Sequence, residues 1–143
     1  MVSLILPYWD RQEAADKAFK SLEKYAGMDL EVIVVDDGNK VPFKCPETPL
    51  EVRVVRLPEK DKPTPQSKAW NAGVKAARGE VIVLSCVEII HDEPVLQQML
   101  ENLQKIGRNG YVLAAAWCPD EFSWHCHSTW QVPTVPAGTC QVL

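Results

Sequence analysis

Apolar residues along this chain follow two alternating rhythms: short continuous runs of strand length, and longer stretches that repeat every three or four residues. Val2–Leu6 is the first run, and Pro7 is predicted to end it. Asp10 with Glu13 has the spacing of a helix amino-terminal cap. Ala15, Ala18, Phe19, Leu22, Tyr25 and Ala26 then mark one helical face, closed by Gly27. Glu31–Val35 is a second strand, ending in the turn sequence Asp36-Asp37-Gly38-Asn39. Val52–Leu57 is a third strand, followed by a polar loop through Pro65. Ala69, Trp70, Gly73, Val74 and Ala77 predict a second helix, with Glu80–Leu84 as the strand beyond it. Asp92-Glu93-Pro94 opens a third helix, whose face is Val95, Leu96, Met99, Leu100, Leu103 and Ile106, stopped at Gly107. Tyr111–Trp117 reads as a fifth strand, and Thr139–Leu143 as the start of another.

Strands alternating with helices predict an α/β fold: a mostly parallel, Rossmann-like sheet flanked by helices. The near-continuous apolar strands agree, because such sheets are covered on both faces. The expected division is an α/β domain over 1–117 and an irregular tail over 118–143. Ligands of open α/β sheets bind beyond the carboxyl ends of the strands. Those ends carry Pro7-Tyr8-Trp9-Asp10, Asp36-Asp37-Gly38-Asn39, the loop to Lys68, and Ser85-Cys86-Val87-Glu88, so acidic, aromatic and amide groups gather on one rim.

Composition narrows the partners. The 143 residues carry 15 Lys+Arg against 19 Asp+Glu, a net charge of −4, which offers no footprint for nucleic acid. No apolar run approaches the roughly 20 residues of a membrane span. Met1–Tyr8 lacks the basic flank of a secretory signal. The five cysteines are an odd number without scaffold spacing, so reduced thiols in a cytoplasmic protein are expected. A strand edge at Thr139–Leu143 would suit pairing with a second copy, which makes a homo-oligomer an expectation.

Neither GxGxxG nor GxxxxGK[ST] occurs, which excludes the two common glycine-rich phosphate cradles; a nucleotidyltransferase is disfavoured on the same ground. The segments VSLILPYWDR, EVIVVDDGN and KAWNAGVKAARGEVIVL, in that order, resemble the nucleotide-sugar-binding half of family 2 glycosyltransferases of the GT-A fold. The resemblance implies binding of a nucleoside-diphosphate sugar and, in a complete protein, inverting transfer to an acceptor hydroxyl of a saccharide or other molecule. It implies that Pro7 and Tyr8 line the base pocket, that Asp36 accepts a hydrogen bond from the base, and that Asp37 lies near the ribose. Asn71 matches the family's helix asparagine. Trp70 stands where many members have arginine, and Lys68 would then supply positive charge near the base or diphosphate.

Where the family has Asp-x-Asp to hold Mg²⁺ or Mn²⁺ on the diphosphate, this chain reads Ser85-Cys86-Val87-Glu88, which leaves Glu88 as the metal carboxylate. His125 or His127 is a further candidate for that metal. Cys118, His125, Cys126 and His127 lack the spacing of a structural zinc site. Plain readings stand beside these: Asp36-Asp37-Gly38 as a turn, Glu88 and Lys68 as solvated charges, Tyr8 and Trp9 as packing. The family's catalytic base comes from an acceptor half beyond this stretch, and no motif assigns that role to Asp120 or Glu121, so no catalytic residue is named. The alternative reading is a non-catalytic, truncated or degenerate module that binds nucleotide or a protein partner.

Overall fold

Four parallel strands form the larger sheet, and their burial follows their position in it. The structure is a computed structural model and describes residues 1–63, 65–107, 110–112, 114, 116–118, 123–124 and 140–142. Strands β1 (Val2–Tyr8) and β2 (Leu30–Asp36) lie in the middle of the order β3-β2-β1-β4; β2 is buried at all seven positions and β1 at all but Pro7. The edge strands β3 (Glu51–Arg56) and β4 (Val81–Leu84) alternate between covered and open residues. Helix α1 (Gln12–Leu22), extended by a 3-10 turn at Glu23–Tyr25, connects β1 to β2, and α2 (Gln66–Ala76) connects β3 to β4. This is the expected parallel α/β architecture. No helix among the described residues is long and apolar enough to cross a membrane.

Side-chain alternation sorts the core into two layers. Ile5, Ile33 and Val35 pack with Ala69 of α2 on one face, with Trp70 and Ala72 at its margin. Helix α2 comes close enough that a Cβ on Gly73 would overlap Ile5 Cγ2. Leu4, Leu6, Val32 and Val34 point to the opposite face and are fully enclosed. The connection from β2 to β3 contains no helix. Phe43 from that loop packs edge-on against Tyr8, ring centroids 4.9 Å apart, and lies 6.0 Å from Phe19 of α1.

Two local expectations are corrected. Strand β1 does not stop before Pro7: Pro7 stays in register with Val35 and Tyr8 with Asp36. The Ile5 carbonyl accepts from Ser85 on the β4 side, while the Tyr8 carbonyl accepts from Asp37 on the β2 side. Backbone polarity alternates along a strand, so Pro7 faces the β4 side, and β4 has already ended at Leu84 opposite Ile5. A missing N–H therefore breaks no ladder bond there. Asp10 does not cap α1: it adopts φ 48°, and the cap position is Arg11, without a side-chain hydrogen bond to the helix.

The amino edge of this sheet contains a buried charge. Glu31 of β2 is fully enclosed. Its Oε1 accepts from Ser3 Oγ at 2.7 Å and from the Arg78 backbone N–H at 2.7 Å, and its Oε2 faces Arg53 at 2.9 Å and Arg78 at 3.1 Å. Gly79 N–H donates to Ser3 Oγ, Arg53 donates to the Ala76 carbonyl, and Arg78 also pairs with Glu51. Burial pushes the Glu31 pKa up, but the hydrogen bonds from Ser3, Arg78 and Arg53 outweigh it and hold the carboxyl at about 2.

The chain divides into two compact units, Met1–Glu88 and Ile89–Leu143. In the second unit, β5 (Ile89–His91), α3 (Val95–Ile106), β6 (Ala116–Cys118), β7 (Ser123–Trp124) and β8 (Cys140–Val142) follow in order, with sheet order β5-β8-β6-β7. The strand expected over Tyr111–Trp117 is found only at Ala116–Cys118 among the described residues, and it joins this second sheet. Strand β8 pairs antiparallel with β5 and parallel with β6. Both edges of Cys140–Gln141 are therefore occupied, so this part of the segment expected to pair with a second copy offers no open edge.

Glu31→Gln removes one charge from a coupled buried set and is expected to cost about 3 kcal/mol in urea unfolding at neutral pH. The folded carboxyl titrates at about 2 against an ordinary 4.5, so the unfolded chain takes up the proton first. The stability contributed by Glu31 is present above pH 4.5 and is lost as pH falls towards 2. The gap between wild type and Glu31→Gln should narrow over that window. Gly73→Ala should destabilise by about 1–3 kcal/mol through overpacking against Ile5, although alanine is the better helix former.

Candidate functional site

Strand order places a topological switch point in the first unit. From β1 the chain crosses by α1 to β2 on one side, whereas from β3 it crosses by α2 to β4 on the other. The crossovers from β1 and from β3 therefore run in opposite senses, which makes the β1/β4 boundary at the carboxyl ends the place where ligands of such sheets bind, here called the crevice. Residues 9–11 and 85–88 border it, and the loops after β2 and before α2 complete the rim.

The loop after β2 is built by Asp36 itself. Asp36 is 1% exposed. Its Oδ1 accepts from the N–H groups of Gly38 at 3.2 Å and Asn39 at 3.0 Å and from Asn39 Nδ2 at 2.8 Å; Oδ2 accepts from Phe43 N–H at 3.1 Å. Burial pushes this carboxyl up, yet those donors together lower its pKa. The Arg56 guanidinium stands 3.9 Å from Oδ2 and donates to the Asn39 carbonyl. Gly38 has φ 87°, and a Cβ there would overlap the Pro58 carbonyl oxygen, so only glycine fits. Asn39 also donates to the Tyr8 carbonyl, which ties the loop to the end of β1.

The other expected residues take distinct places. Asp37 is buried and bonds Lys60 Nζ at 2.5 Å. Tyr8 is buried, its ring on Phe43 and its hydroxyl 3.5 Å from Gln12 Oε1. Burial, with the charges of Asp10 and Asp36, raises its pKa, so the phenol keeps its proton. Gln12 pins the loop carrying Phe43 through two bonds to the Lys44 backbone. Pro7 is half-buried at the end of β1. Lys68 and Asn71 lie one turn apart on α2, both exposed. Trp70 Nε1 donates to the Ser85 carbonyl at 3.2 Å, and Gln66 donates to Cys86 Sγ. Burial and the nearby Glu88 charge push the Cys86 thiol up, which keeps it protonated and a poor nucleophile.

Across the crevice, Arg11 Nε lies 3.4 Å from Glu88 Oε1, with the two side chains 60% and 26% exposed. This pairing joins the loop after β1 to the loop after β4. Val87 is buried, and no group of three metal-capable side chains comes together among the described residues. Glu88 offers one carboxylate oxygen pair, already facing a guanidinium; a divalent ion held there would complete its oxygen shell with water and the phosphates of a bound substrate. His125 and His127 lie outside the described residues. The structure adds Arg11, Arg56 and Lys60 to the rim and gives Asn39 its contacts there. Asn39 and Arg11 stand inside the segments that carried the resemblance, but their contacts depend on which loops become neighbours.

Comparison with known proteins agrees with this architecture. The solved structure of S. aureus TarS superposes with a TM-score of 0.56 at 18% identity, over 82% of this chain and 21% of that one. At that identity the likeness concerns the fold, and the chain spans about a fifth of TarS. No curated protein matches the chain in sequence. The family model described as Glycosyl transferase family 2 matches residues 3–134, which include every strand and loop of the rim. With that match spanning most of its length, the chain belongs to glycosyl transferase family 2.

Proposed function

We propose that the rim binds the nucleoside-diphosphate part of a sugar donor, and that in the whole protein the sugar passes with inversion to an acceptor hydroxyl. The observation that carries this reading is the meeting of the Asp36–Asn39 loop with the β1/β4 crevice at one end of one parallel sheet. Family membership supports the donor class. Asp36 would act largely by holding its loop in shape, since its oxygens already accept four hydrogen bonds. Asp37 beside it would face the ribose, with Pro7 and Tyr8 walling the base. Lys68 and Asn71, exposed on the first turns of α2, would reach the nucleotide from the β4 side of the rim. The reduced-thiol reading of the cysteines favours a cytoplasmic site of action.

A second reading has its own support. Glu88, the one carboxylate of the segment 85–88, is paired with Arg11, which favours a nucleotide-binding module without turnover.

Thermal unfolding with UDP or GDP tests the binding proposal. At about a hundred times Kd the bound form gains about 2.7 kcal/mol, a rise of a few degrees in Tm; no rise with either nucleotide would remove the basis for a donor site. Lys68→Ala is expected to weaken nucleotide binding about tenfold, the loss of one charge-assisted contact. Its ligand-free Tm should match wild type, because the side chain is exposed. Release of nucleotide from a UDP- or GDP-sugar by the chain, measured enzymatically, separates the transferase from the binding module.

A further inference from the structure

The crevice faces a problem of charge. A nucleoside diphosphate brings two phosphates to a rim that already contains Asp36, Asp37 and Glu88, and the sequence after β4 lacks the pair of aspartates with which relatives hold a divalent ion. Three observations indicate what takes the ion's place. Cys86 and Val87 occupy the intervening positions; Val87 is buried, and the Cys86 thiol is protonated and engaged by Gln66. Glu88 is the remaining carboxylate, and its closest cation is the Arg11 guanidinium, from the loop after the neighbouring strand. The backbone of Arg11 is fixed: the preceding Asp10 takes a left-handed turn, and the Arg11 carbonyl accepts the first hydrogen bond of α1, from Ala15 at 3.0 Å.

Resting on the donor-site reading above, we infer that Arg11, oriented by Glu88 across the β1/β4 crevice, is the diphosphate-binding cation, so that nucleotide binding here does not require a divalent metal. The closest approach of Arg11 to Glu88 is through Nε, at 3.4 Å. The two terminal nitrogens of a guanidinium carry four further N–H donors, spaced to meet two phosphate oxygens at once. The side chain is 60% exposed, which leaves those nitrogens accessible at the mouth of the crevice. In this arrangement Glu88 is a positioning residue: it aims the guanidinium and contributes nothing to the ligand directly. Arginine suits the task better than lysine, because its planar fork keeps two bonds in one geometry.

Calorimetric titration of the full chain with UDP and GDP, in EDTA and then with Mn²⁺, tests the inference. For the nucleotide that binds, the dissociation constants in the two buffers should agree within about twofold. Arg11→Gln should weaken binding in EDTA by about ten- to a hundredfold, and Arg11→Lys should recover part of that loss. Uridine or guanosine, which lack the diphosphate, should bind wild type and Arg11→Gln equally. Unfolding of Arg11→Gln should match wild type, since a solvent-exposed ion pair contributes little to stability. Binding that vanishes in EDTA and returns with Mn²⁺ would overturn the inference while leaving the donor site intact. Unchanged affinity of Arg11→Gln in EDTA would do the same. Absence of binding for both nucleotides in both buffers would overturn the inference and the donor-site reading together.

Discussion

Enclosing the Glu31 carboxylate imposes a constraint that spreads through the larger sheet. A buried charge persists only if every oxygen is met, and here the donors come from Ser3 of β1, Arg53 of β3 and the Arg78 backbone and side chain beyond α2. Those groups fix the amino ends of three strands and the exit of α2. The chain then has two residues before β4 begins at Val81, and the Glu80 N–H bonds the Met1 carbonyl. The register of β4 against β1 follows from that anchor. So does the crevice at the other end, because it opens where β4 stops opposite Ile5 while β1 continues to Tyr8.

Strand β2 thus bears a structural carboxylate at each end. Glu31 ties strands and a helix together at the amino edge, and Asp36 folds its own loop at the carboxyl edge. Both are held ionised by direct donors against the effect of burial. Between them lies an apolar stretch that contributes packing and no chemistry. The polar groups that remain adaptable, Arg11, Lys68 and Asn71, are exposed and sit on loops or first helical turns. A rigid apolar sheet with mobile-headed side chains at one end is how α/β folds present ligand sites.

Much of the fold was legible in the sequence, and the misreadings have physical causes. Periodicity located the strands and helices of the first unit, because burial on both faces imposes continuous apolar runs and helix packing imposes a 3.6-residue repeat. The Asp36–Asn39 turn was legible because its chemistry is local. Pro7 was read as a stop because a strand-breaking residue is judged without its neighbours; here the adjacent strand had already ended. Asp10 and Glu13 had cap spacing, but the backbone at Asp10 turns left-handed and the helix starts from Arg11. Thr139–Leu143 did predict a strand, yet its place between β5 and β6 depends on segments distant in sequence.

By itself the sequence determined the order of elements, the parallel sheet, the glycosyl transferase family and the set of loops that form the rim, since each rests on local pattern or on short ordered motifs. Only the tertiary structure decided that Glu31 is buried in a charged network, that Asp36 spends its oxygens on its own loop, and that Arg11 faces Glu88 across a strand boundary. The reason is the same in all three cases. Whether a charged side chain is solvated, structural or available to a ligand depends on which distant groups surround it, and sequence spacing does not encode that neighbourhood.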